Sequence, residues 1–294
     1  MVACGRVQKV NGCKVLAGIV TRNRAKALRK AINSALKQKA SSVEIVVIDD
    51  ASTDETITLT REFPRVTWIR RELTGGYISA RNELMTRDNS DYFVSLDDDA
   101  WFVSDDEIAA AVEFLQQNSS TAAVAFDILS PDRPQSRERS APQPTANFIG
   151  CGHVLRMSAV REVGGYEPTP GNYGGEEKDL SLRLMDAGYQ IVRLPGVHVW
   201  HDKTSVARAV ADQYRSGVCN DLVLTFRRTP AALLPVALIV KCYQHFSFAL
   251  RKGLFRPCLE GLRLFFDHLS ETRRTRRPVK LSTLRRYMRL ARKT

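Results

Sequence analysis

Three consecutive aspartates, Asp97, Asp98 and Asp99, follow the apolar run DYFVSL at residues 91–96. Carboxylates at the carboxyl end of a buried strand can hold a hard divalent cation such as Mg²⁺ or Mn²⁺, which also takes diphosphate oxygens as ligands. The alternative is a solvated acidic turn that caps the helix that follows. Because three adjacent acids repel one another in the absence of a cation, a metal site is the favoured interpretation.

A second acidic pair, Asp49 and Asp50, closes another apolar run, which begins at Val43. A carboxylate in this position could accept an N–H group of a pyrimidine base. A helix-capping turn explains the pair equally well, because Ser52 and Glu55 have the spacing of a capping box. Both interpretations stay open on this pattern alone.

A third pair of acids, Glu176 and Glu177, follows two glycines and opens a predicted helix. A carboxylate on a flexible loop near a metal could act as the general base that removes a proton from an attacking hydroxyl group. Acidic residues in a first helical turn also complement the helix dipole, and the local pattern favours this alternative. Asp179 and Arg183 have i, i+4 spacing, which predicts an ion pair on the same helix.

A histidine, His201, ends the apolar run VHVWH. A single histidine at a strand end usually has a structural role, and a role as a metal ligand needs support from other residues. His201 is therefore a candidate ligand only in combination with the aspartates.

These candidates are separated by alternating strand and helix patterns, which predict an α/β fold with a mostly parallel, doubly wound sheet. The predicted strands are residues 15–20, 43–49, 65–70, 91–96, 122–126, 189–194 and 197–201, and the predicted helices are 25–37, 78–86 and 105–117. In such sheets ligands bind outside the carboxyl ends of the strands, where the acidic pairs stand. Residues 130–147 contain four prolines and are predicted to form a long loop.

The C-terminal part of the chain differs in composition from the rest. Residues 251–294 contain 14 Lys and Arg against 3 acids, so they carry +11 of the formal net charge of +12. From residue 205 onward the pattern predicts helices punctuated by prolines. We therefore expect two domains, an α/β domain over 1–204 and a basic helical extension over 205–294.

The cysteine pattern and the N-terminal apolar run predict the compartment. Six scattered cysteines without a CxxC pair argue against a zinc site or a disulfide framework and favour a reducing compartment. The run from Val15 to Val20 is too short for a signal peptide. A cytoplasmic location is the expectation.

Taken in order, the motifs resemble glycosyltransferase family 2, whose members have a GT-A fold. The matching segments are IVTRNR, VVIDDASTDET, GGYISARNEL, LDDDAW and GGYEPTPGNYGGEEKDLSLRLMDAGYQ, followed by the VWH strand. The resemblance runs from about Val15 to His201, roughly two thirds of the chain. The helical end is more loosely similar to bacterial glycan-assembly transferases, such as rhamnosyltransferases, that use lipid-linked acceptors.

The resemblance implies a role for each candidate residue. It implies nucleotide-side contacts for Thr21, Asn23, Asp50, Arg81, Asp97 and Asp98, with Asp97 near the ribose and sugar. It implies metal binding by Asp99 and His201, and a catalytic base at Glu177, with Glu176 as a possible substitute. Two departures from the family pattern are Arg22, where Tyr is usual, and Glu177, where Asp is commoner.

The implied activity is an inverting, Mg²⁺- or Mn²⁺-dependent transfer of a sugar from a nucleotide-sugar donor to an acceptor hydroxyl. The resemblance implies a carbohydrate or lipid-linked acceptor and a role in bacterial cell-surface polysaccharide or glycolipid assembly. We expect peripheral attachment at the inner face of the cell membrane, because amphipathic helices with clustered arginines suit an anionic membrane surface.

The apolar segment 229–250 lacks the uninterrupted apolar sequence that is typical of a membrane-spanning helix. It is interrupted by Pro235, Lys241 and His245, whereas a spanning helix wants about 20 apolar residues. The alternative to membrane contact is a helical subdomain packed on the sheet, with a solvated basic tail.

Two rival functions are weighed against glycosyl transfer. A nucleotidyltransferase has a similar sheet, but the loop TRNRAK lacks the glycine-rich, lysine-ending phosphate loop that such enzymes need. A basic nucleic-acid-binding protein without catalysis is disfavoured because the charge is terminal and few aromatic residues are interleaved with it. No nucleic-acid partner is expected.

Overall fold

The structure, a computed structural model, describes residues 12–40, 42–87, 89–136, 140–202 and 210–292. The chain divides into two compact units, the first formed by Met1–Glu162 and Tyr189–Thr204 and the second by Val163–Gly188 and Ser205–Thr294. The predicted domain boundary at 204/205 lies outside the described residues. The sequence-based division had placed residues 163–188 with the α/β domain, whereas the second unit contains them.

The first unit is built on a mixed nine-stranded sheet. Its strands are β1 (Val15–Thr21), β2 (Val43–Asp49), β3 (Thr67–Arg70), β4 (Tyr92–Asp97), β5 (Ala100–Phe102), β6 (Thr121–Leu129), β7 (Gln143–Pro144), β8 (Gly152–Arg156) and β9 (Gln190–His201). The strand order is β3-β2-β1-β4-β8-β6-β9-β5, and β7 pairs with β9. Among the described strands, β1, β2, β3, β4, β6 and β9 run in one direction, which confirms the predicted α/β class with a mostly parallel sheet.

Five helices accompany this sheet. They are α1 (Ala25–Leu36), α2 (Leu59–Glu62), α3 (Tyr77–Arg87), α4 (Glu107–Gln117) and α5 (Met157–Val163), which ends at the boundary between the units. Glycine at position 18 of β1 allows α3 to pack closely, because an added Cβ would lie 2.8 Å from the Leu84 and Phe93 side chains. This close packing fixes α3, which carries Arg81, against the central strand.

The second unit is helical in all its described regular elements. It contains α6 (Glu176–Asp186), α7 (Val210–Arg228), α8 (Leu234–Lys252), α9 (Phe255–Asp267), α10 (Leu269–Arg274) and α11 (Leu281–Ala291). Its core consists of apolar side chains from α7, α8 and α9, namely Val218, Cys219, Leu222, Val223, Ala249, Cys258 and Phe265. The prediction that the C-terminal region is helical is confirmed for residues 210–292.

Two local predictions differ from the structure. The segments 189–194 and 197–201 form one strand, β9, which accommodates Gly196 at φ +75° beside a register shift in β6. Asp54, and not Ser52, caps the turn at 55–58: its carboxylate accepts a hydrogen bond from the Thr56 N–H at 3.1 Å. The Ser52 hydroxyl instead accepts the Asn23 N–H at 2.9 Å, so the capping-box prediction was wrong.

Candidate active site

The acidic motifs meet at one edge of the sheet because their strands are parallel neighbours. Thr21 at the end of β1 pairs in register with Asp49 of β2, and Val20 pairs with Asp97 of β4. The carboxyl ends of the three strands therefore bring these side chains to the same place. This edge is the candidate active site of the first unit.

The middle aspartate of the triplet points into the protein. The Asp98 carboxylate accepts the Thr21 hydroxyl at 2.8 Å and lies 2.9 Å from the Arg24 guanidinium. Burial raises the pKa of the Asp98 carboxyl to about 6, against the opposing effect of Arg24, and the neighbouring charge of Asp99 adds to the rise. Asp98 thus joins β4 to the end of β1, and Arg24 relieves part of the repulsion within the triplet.

The first aspartate is paired with a buried arginine from α3. Arg81 donates to a carboxylate oxygen of the half-buried Asp97, and its guanidinium carbon lies 4.8 Å from the centre of the Tyr77 ring. The buried cation stands beside the carboxylate predicted to lie near the ribose and sugar. Positive charge is therefore held at this edge of the sheet.

The third aspartate contacts the predicted histidine. Asp99 is 1% exposed, and its Oδ1 lies 3.1 Å from Nε2 of His201. The pairing follows from the antiparallel register of β5 and β9, which places Ala100 opposite His201. The two residues predicted as metal ligands are thus neighbours.

A cysteine joins this cluster. Among the described residues, Asp97, Cys151 and His201 form a group whose ligand atoms lie within 4.8 Å of one another. Cys151 directly precedes β8, the neighbour of β4, so only the sheet order brings it here, and no local motif identified it. Carboxylates and an imidazole this close together fit a divalent cation, to which a thiol would add a softer donor.

The second acidic motif organises the loop that leads into α3. Asp50 accepts hydrogen bonds from the Arg71 guanidinium at 3.0 Å, the Thr74 hydroxyl at 2.7 Å, the Gly75 N–H at 2.9 Å and the Gly76 N–H at 3.0 Å. Burial alone would raise the pKa of Asp50, but these hydrogen bonds, led by that from Gly75, hold it below its ordinary value. Its contact with a nucleotide base stays a prediction.

The first motif is tied to the second through Asn23. Its Oδ1 accepts the Thr53 N–H at 2.7 Å, and its own N–H donates to Ser52 at 2.9 Å. Asn23 adopts φ +55°, a conformation that asparagine tolerates better than most residues. In the structure Asn23 therefore holds the turn after β2.

The candidate bases lie in the second unit, at the start of α6. Gly174 and Gly175 both have positive φ angles, 82° and 98°, and the helix begins directly after them. Glu176 is buried, 1% exposed, whereas Glu177 is partly exposed. Of the two, Glu177 is the one that solvent or an acceptor can reach.

The loop before α6 is held by a residue that sequence reasoning missed. Asn220 of α7 accepts the Gly171 N–H at 2.9 Å and donates to the carbonyl oxygens of Gly171, Tyr173 and Gly174 at 2.9, 3.0 and 2.8 Å. An asparagine inside a helix carries no local signal of such a role.

A buried ion cluster connects α6 to α7. The predicted pair of Asp179 with Arg183 is confirmed, with Nε and Oδ2 2.7 Å apart. Arg228, which the sequence had not singled out, also binds Asp179, with its Nε 2.6 Å from Oδ1, and reaches Glu167 at 2.5 Å. Burial alone would raise the pKa of Asp179, but Arg183 and Arg228 lower it below its ordinary value.

Solved structures share this fold. The chain aligns with the mannosyltransferase PcManGT from Pyrobaculum calidifontis, in complex with GDP-Man and Mn²⁺, at a TM-score of 0.60 and 17% identity, covering 89% of this chain and 76% of that one. It aligns with S. aureus TarS 1–349 in complex with UDP-GlcNAc at a TM-score of 0.63 and 17% identity, covering 90% and 82%. At these identities the likeness shows the fold, and the GT-A prediction is confirmed.

Sequence comparison identifies the family. A pre-mycofactocin glycosyltransferase of Mycobacterium tuberculosis is 26% identical over 208 residues, which cover 65% of this chain and 43% of that relative. The family model for the N-terminal domain of galactosyltransferase matches residues 135–206. The model for glycosyl transferase family 2 matches residues 17–164, half of the chain, and includes the strand ends described above. The chain is a glycosyltransferase and belongs to glycosyltransferase family 2.

Proposed function

We propose that the chain is an inverting, divalent-cation-dependent transferase that moves a sugar from a nucleotide-sugar donor to an acceptor hydroxyl. The observation that carries the proposal is the cluster at the carboxyl ends of β4 and β9, beside α3. There two carboxylates, an imidazole and the buried Arg81 guanidinium lie together, which is the chemistry that a diphosphate and its cation require.

The donor side is assigned to the first unit. Thr21 ends β1, Asn23 follows it in the next turn, and Asp50 directly follows β2. The other assigned residues are Arg81 on α3, Asp97 at the end of β4 and Asp98 after it. Related solved structures hold GDP-Man or UDP-GlcNAc, which supports a nucleotide-sugar donor without choosing the base or the sugar.

The cation side is assigned to Asp99 and His201, with Asp97 and Cys151 within reach. When bound, Mg²⁺ or Mn²⁺ would offset the negative charge of the donor diphosphate. Arg81 adds a fixed positive charge at the same edge, which stabilises the diphosphate as it takes the electron pair of its bond to the anomeric carbon.

The base is assigned to Glu177, following the family resemblance and its greater exposure. Its carboxylate accepts the proton of the acceptor hydroxyl, whose oxygen attacks the anomeric carbon from the face opposite the diphosphate. The bond from that carbon to the diphosphate oxygen breaks, and its electron pair leaves with the diphosphate. One displacement inverts the configuration, and no covalent intermediate forms on the protein.

The acceptor is assigned as a carbohydrate or a lipid-linked glycan. The reaction would then belong to the assembly of bacterial cell-surface polysaccharide or glycolipid. The support is the family membership together with the basic helical second unit, which suits work at the inner face of a membrane.

The cation site is tested with Asp99→Asn, assayed by calorimetry with a panel of nucleotide sugars in the presence and absence of Mn²⁺. The substitution should abolish Mn²⁺-dependent donor binding and transfer, because the cluster loses one carboxylate. Asp105→Asn, which removes an exposed acid paired with Lys39, is the charge-matched control and should bind as the wild type does. Unchanged Mn²⁺-dependent binding in Asp99→Asn would exclude the assignment.

The base is tested by comparing Glu177→Gln with Glu176→Gln. Glu177→Gln should keep donor binding and lose transfer by about 10²–10⁴-fold, the range for a positioned acid or base. Glu176→Gln should lose much less activity. Small, equal losses would mean that neither acts as the base, and a product that keeps the donor's anomeric configuration, seen by NMR, would exclude single displacement.

A further inference from the structure

The helix α8 presents an apolar stripe to solvent, interrupted by Ser247 between its last two members. Its members are spaced i, i+3, i+4, i+7 and i+14, which places them on one helical face, and they are between 45% and 73% exposed: Val236, Ile239, Val240, Tyr243 and Leu250. We call these five residues the outer face of α8. The face extends over about 21 Å at 1.5 Å per residue.

The opposite side of α8 is committed to the core of the second unit. Leu238, Cys242, Phe246 and Ala249 pack against apolar side chains of α7 and α9. The only charged residue from Pro230 to Leu250 is Lys241, and its Nζ lies 2.9 Å from a carboxylate oxygen of Asp221. The same carboxylate lies 3.1 Å from His245. Lys241 and His245 are thus turned toward Asp221, and the outer face carries no charge.

Among the described helices, the segment Ala231–Lys252 is long and apolar enough to cross a membrane by length and composition, and only 6% of its apolar 18-residue stretch is buried. Crossing would separate α8 from its core partners and carry Lys241 and His245 into hydrocarbon without Asp221, which is unfavourable. Lying in the plane of the membrane interface buries the outer face and leaves the packed side intact.

The charge beside the outer face matches an anionic surface. Arg251 and Lys252 end α8 and are both exposed. On α9, Arg256 and Arg263 are each paired with an acid one turn further on, Glu260 and Asp267, so that helix adds no net charge. An apolar face that ends in basic residues is typical of a helix that lies in an anionic lipid interface, because the apolar groups enter the acyl boundary while the cations meet the headgroups.

We propose that the outer face of α8 is a membrane-docking surface that inserts in the plane of an anionic bilayer. The inference specifies the peripheral association proposed above and does not depend on the transfer reaction. It locates the docking element before Arg251, so the basic tail alone does not account for membrane binding.

The test is co-sedimentation of the full chain with phosphatidylcholine vesicles that contain or lack phosphatidylglycerol. Ile239→Gln/Tyr243→Gln replaces two members of the outer face with polar residues that helices tolerate. Ile57→Gln/Val103→Gln, which replaces two exposed apolar residues of the first unit, is the matched control. Point substitutions are required because truncation at Arg251 would remove Cys258 and Phe265 from the core.

The wild type and the control should bind anionic vesicles alike, and the α8 variant should bind about tenfold more weakly or worse. Binding of the wild type should weaken as salt rises, since the flanking cations are screened. Circular dichroism and donor hydrolysis should be the same in all three proteins. If donor hydrolysis were absent from all of them, the proposed function would fail while the docking surface would stand.

Two outcomes would overturn the docking surface. One is unchanged sedimentation of the α8 variant with anionic vesicles. The other is a dimer, seen by analytical ultracentrifugation, that the α8 substitutions dissociate while no form of the protein binds vesicles. In that case the outer face would be an interface between two copies of the chain.

Discussion

Replacement of Asn220 by alanine should loosen the loop that precedes the candidate base. The Asn220 side chain is fully buried and makes four hydrogen bonds to the backbone of residues 171–174. Tyr173 and Gly174 are not buried, so water can replace the bonds to their carbonyl groups. Gly171 is buried; its carbonyl oxygen would still accept the Thr169 hydroxyl at 3.1 Å, but its N–H would lose its acceptor.

The expected loss in the free energy of unfolding is about 1–3 kcal/mol, the cost of one orphaned buried polar group. Urea denaturation measures this loss. Hydrogen exchange followed by mass spectrometry should show faster exchange in peptides covering residues 168–176. The rate of sugar transfer should fall by a larger factor than the affinity for the donor. The reason is that a displaced catalytic base lowers the reaction rate without weakening donor binding.

Asn220→Asp is the sharper control for this reasoning. It keeps an oxygen that can accept the Gly171 N–H, but it removes both donors to the carbonyl groups. Above the ordinary pKa of aspartate its charge would face those carbonyl oxygens, so the destabilisation should grow as pH rises from 5 to 8. If the free energies of unfolding of both variants lay within 0.5 kcal/mol of the wild-type value, roughly the effect of an ordinary surface substitution, the proposed role of Asn220 in holding the loop would be refuted.

Two further predictions concern the same unit. Gly171→Ala should destabilise the protein by about 1–3 kcal/mol in urea denaturation, because its Cβ would lie 2.8 Å from backbone atoms of Ser216. Gly217→Ala has open space around the added Cβ, so in the same assay it should stabilise α7 by roughly 0.5–1 kcal/mol. Asp221→Asn should destabilise at pH 7 and less so at acidic pH. Burial would raise the pKa of Asp221, but hydrogen bonding to His245 and the charges of Lys178 and Lys241 hold it well below its ordinary value. The stability it contributes is present above about pH 4 and is lost as pH falls further, so thermal unfolding should show the two proteins converging.

The site residues that were predictable lie where a periodic pattern ends. The apolar runs of β1, β2 and β4 end at recognisable positions in the sequence. Because these strands are parallel, their carboxyl ends must lie at the same edge of the sheet. The common position of Asp97, Asp99 and Asp50 at one edge of the sheet could therefore be predicted from the sequence alone. His201 became a candidate only in combination with them, since one strand end carries no information about its distant neighbour.

The residues that were missed act through contacts distant in sequence. Cys151 reaches the cluster because β8 adds antiparallel to β4, a pairing that no local pattern specifies. Nothing in the sequence distinguishes Arg24 from the other basic residues, and its contact with Asp98 at 2.9 Å depends on the fold. Asn220 and Gly171 are 49 positions apart, and their fit depends on a close approach that only the packed helices define.

The same limit applies to the charge of the C-terminal region. Composition treats its cations as equivalent, yet the structure sorts them into different environments. Arg276 donates to the carbonyl oxygens of Phe226 and Thr229 at 2.7 and 2.9 Å, and the Arg228 guanidinium donates to the Arg277 carbonyl at 3.2 Å. Arg276 thus satisfies carbonyl groups at the C-terminal end of α7, and Arg228 fixes the segment at Arg277, so both have structural roles. The exposed Arg251 and Lys252 at the end of α8 remain for a membrane surface, whereas the arginines of α9 are paired with Glu260 and Asp267. The net charge of the region therefore overstates the electrostatic attraction it can supply.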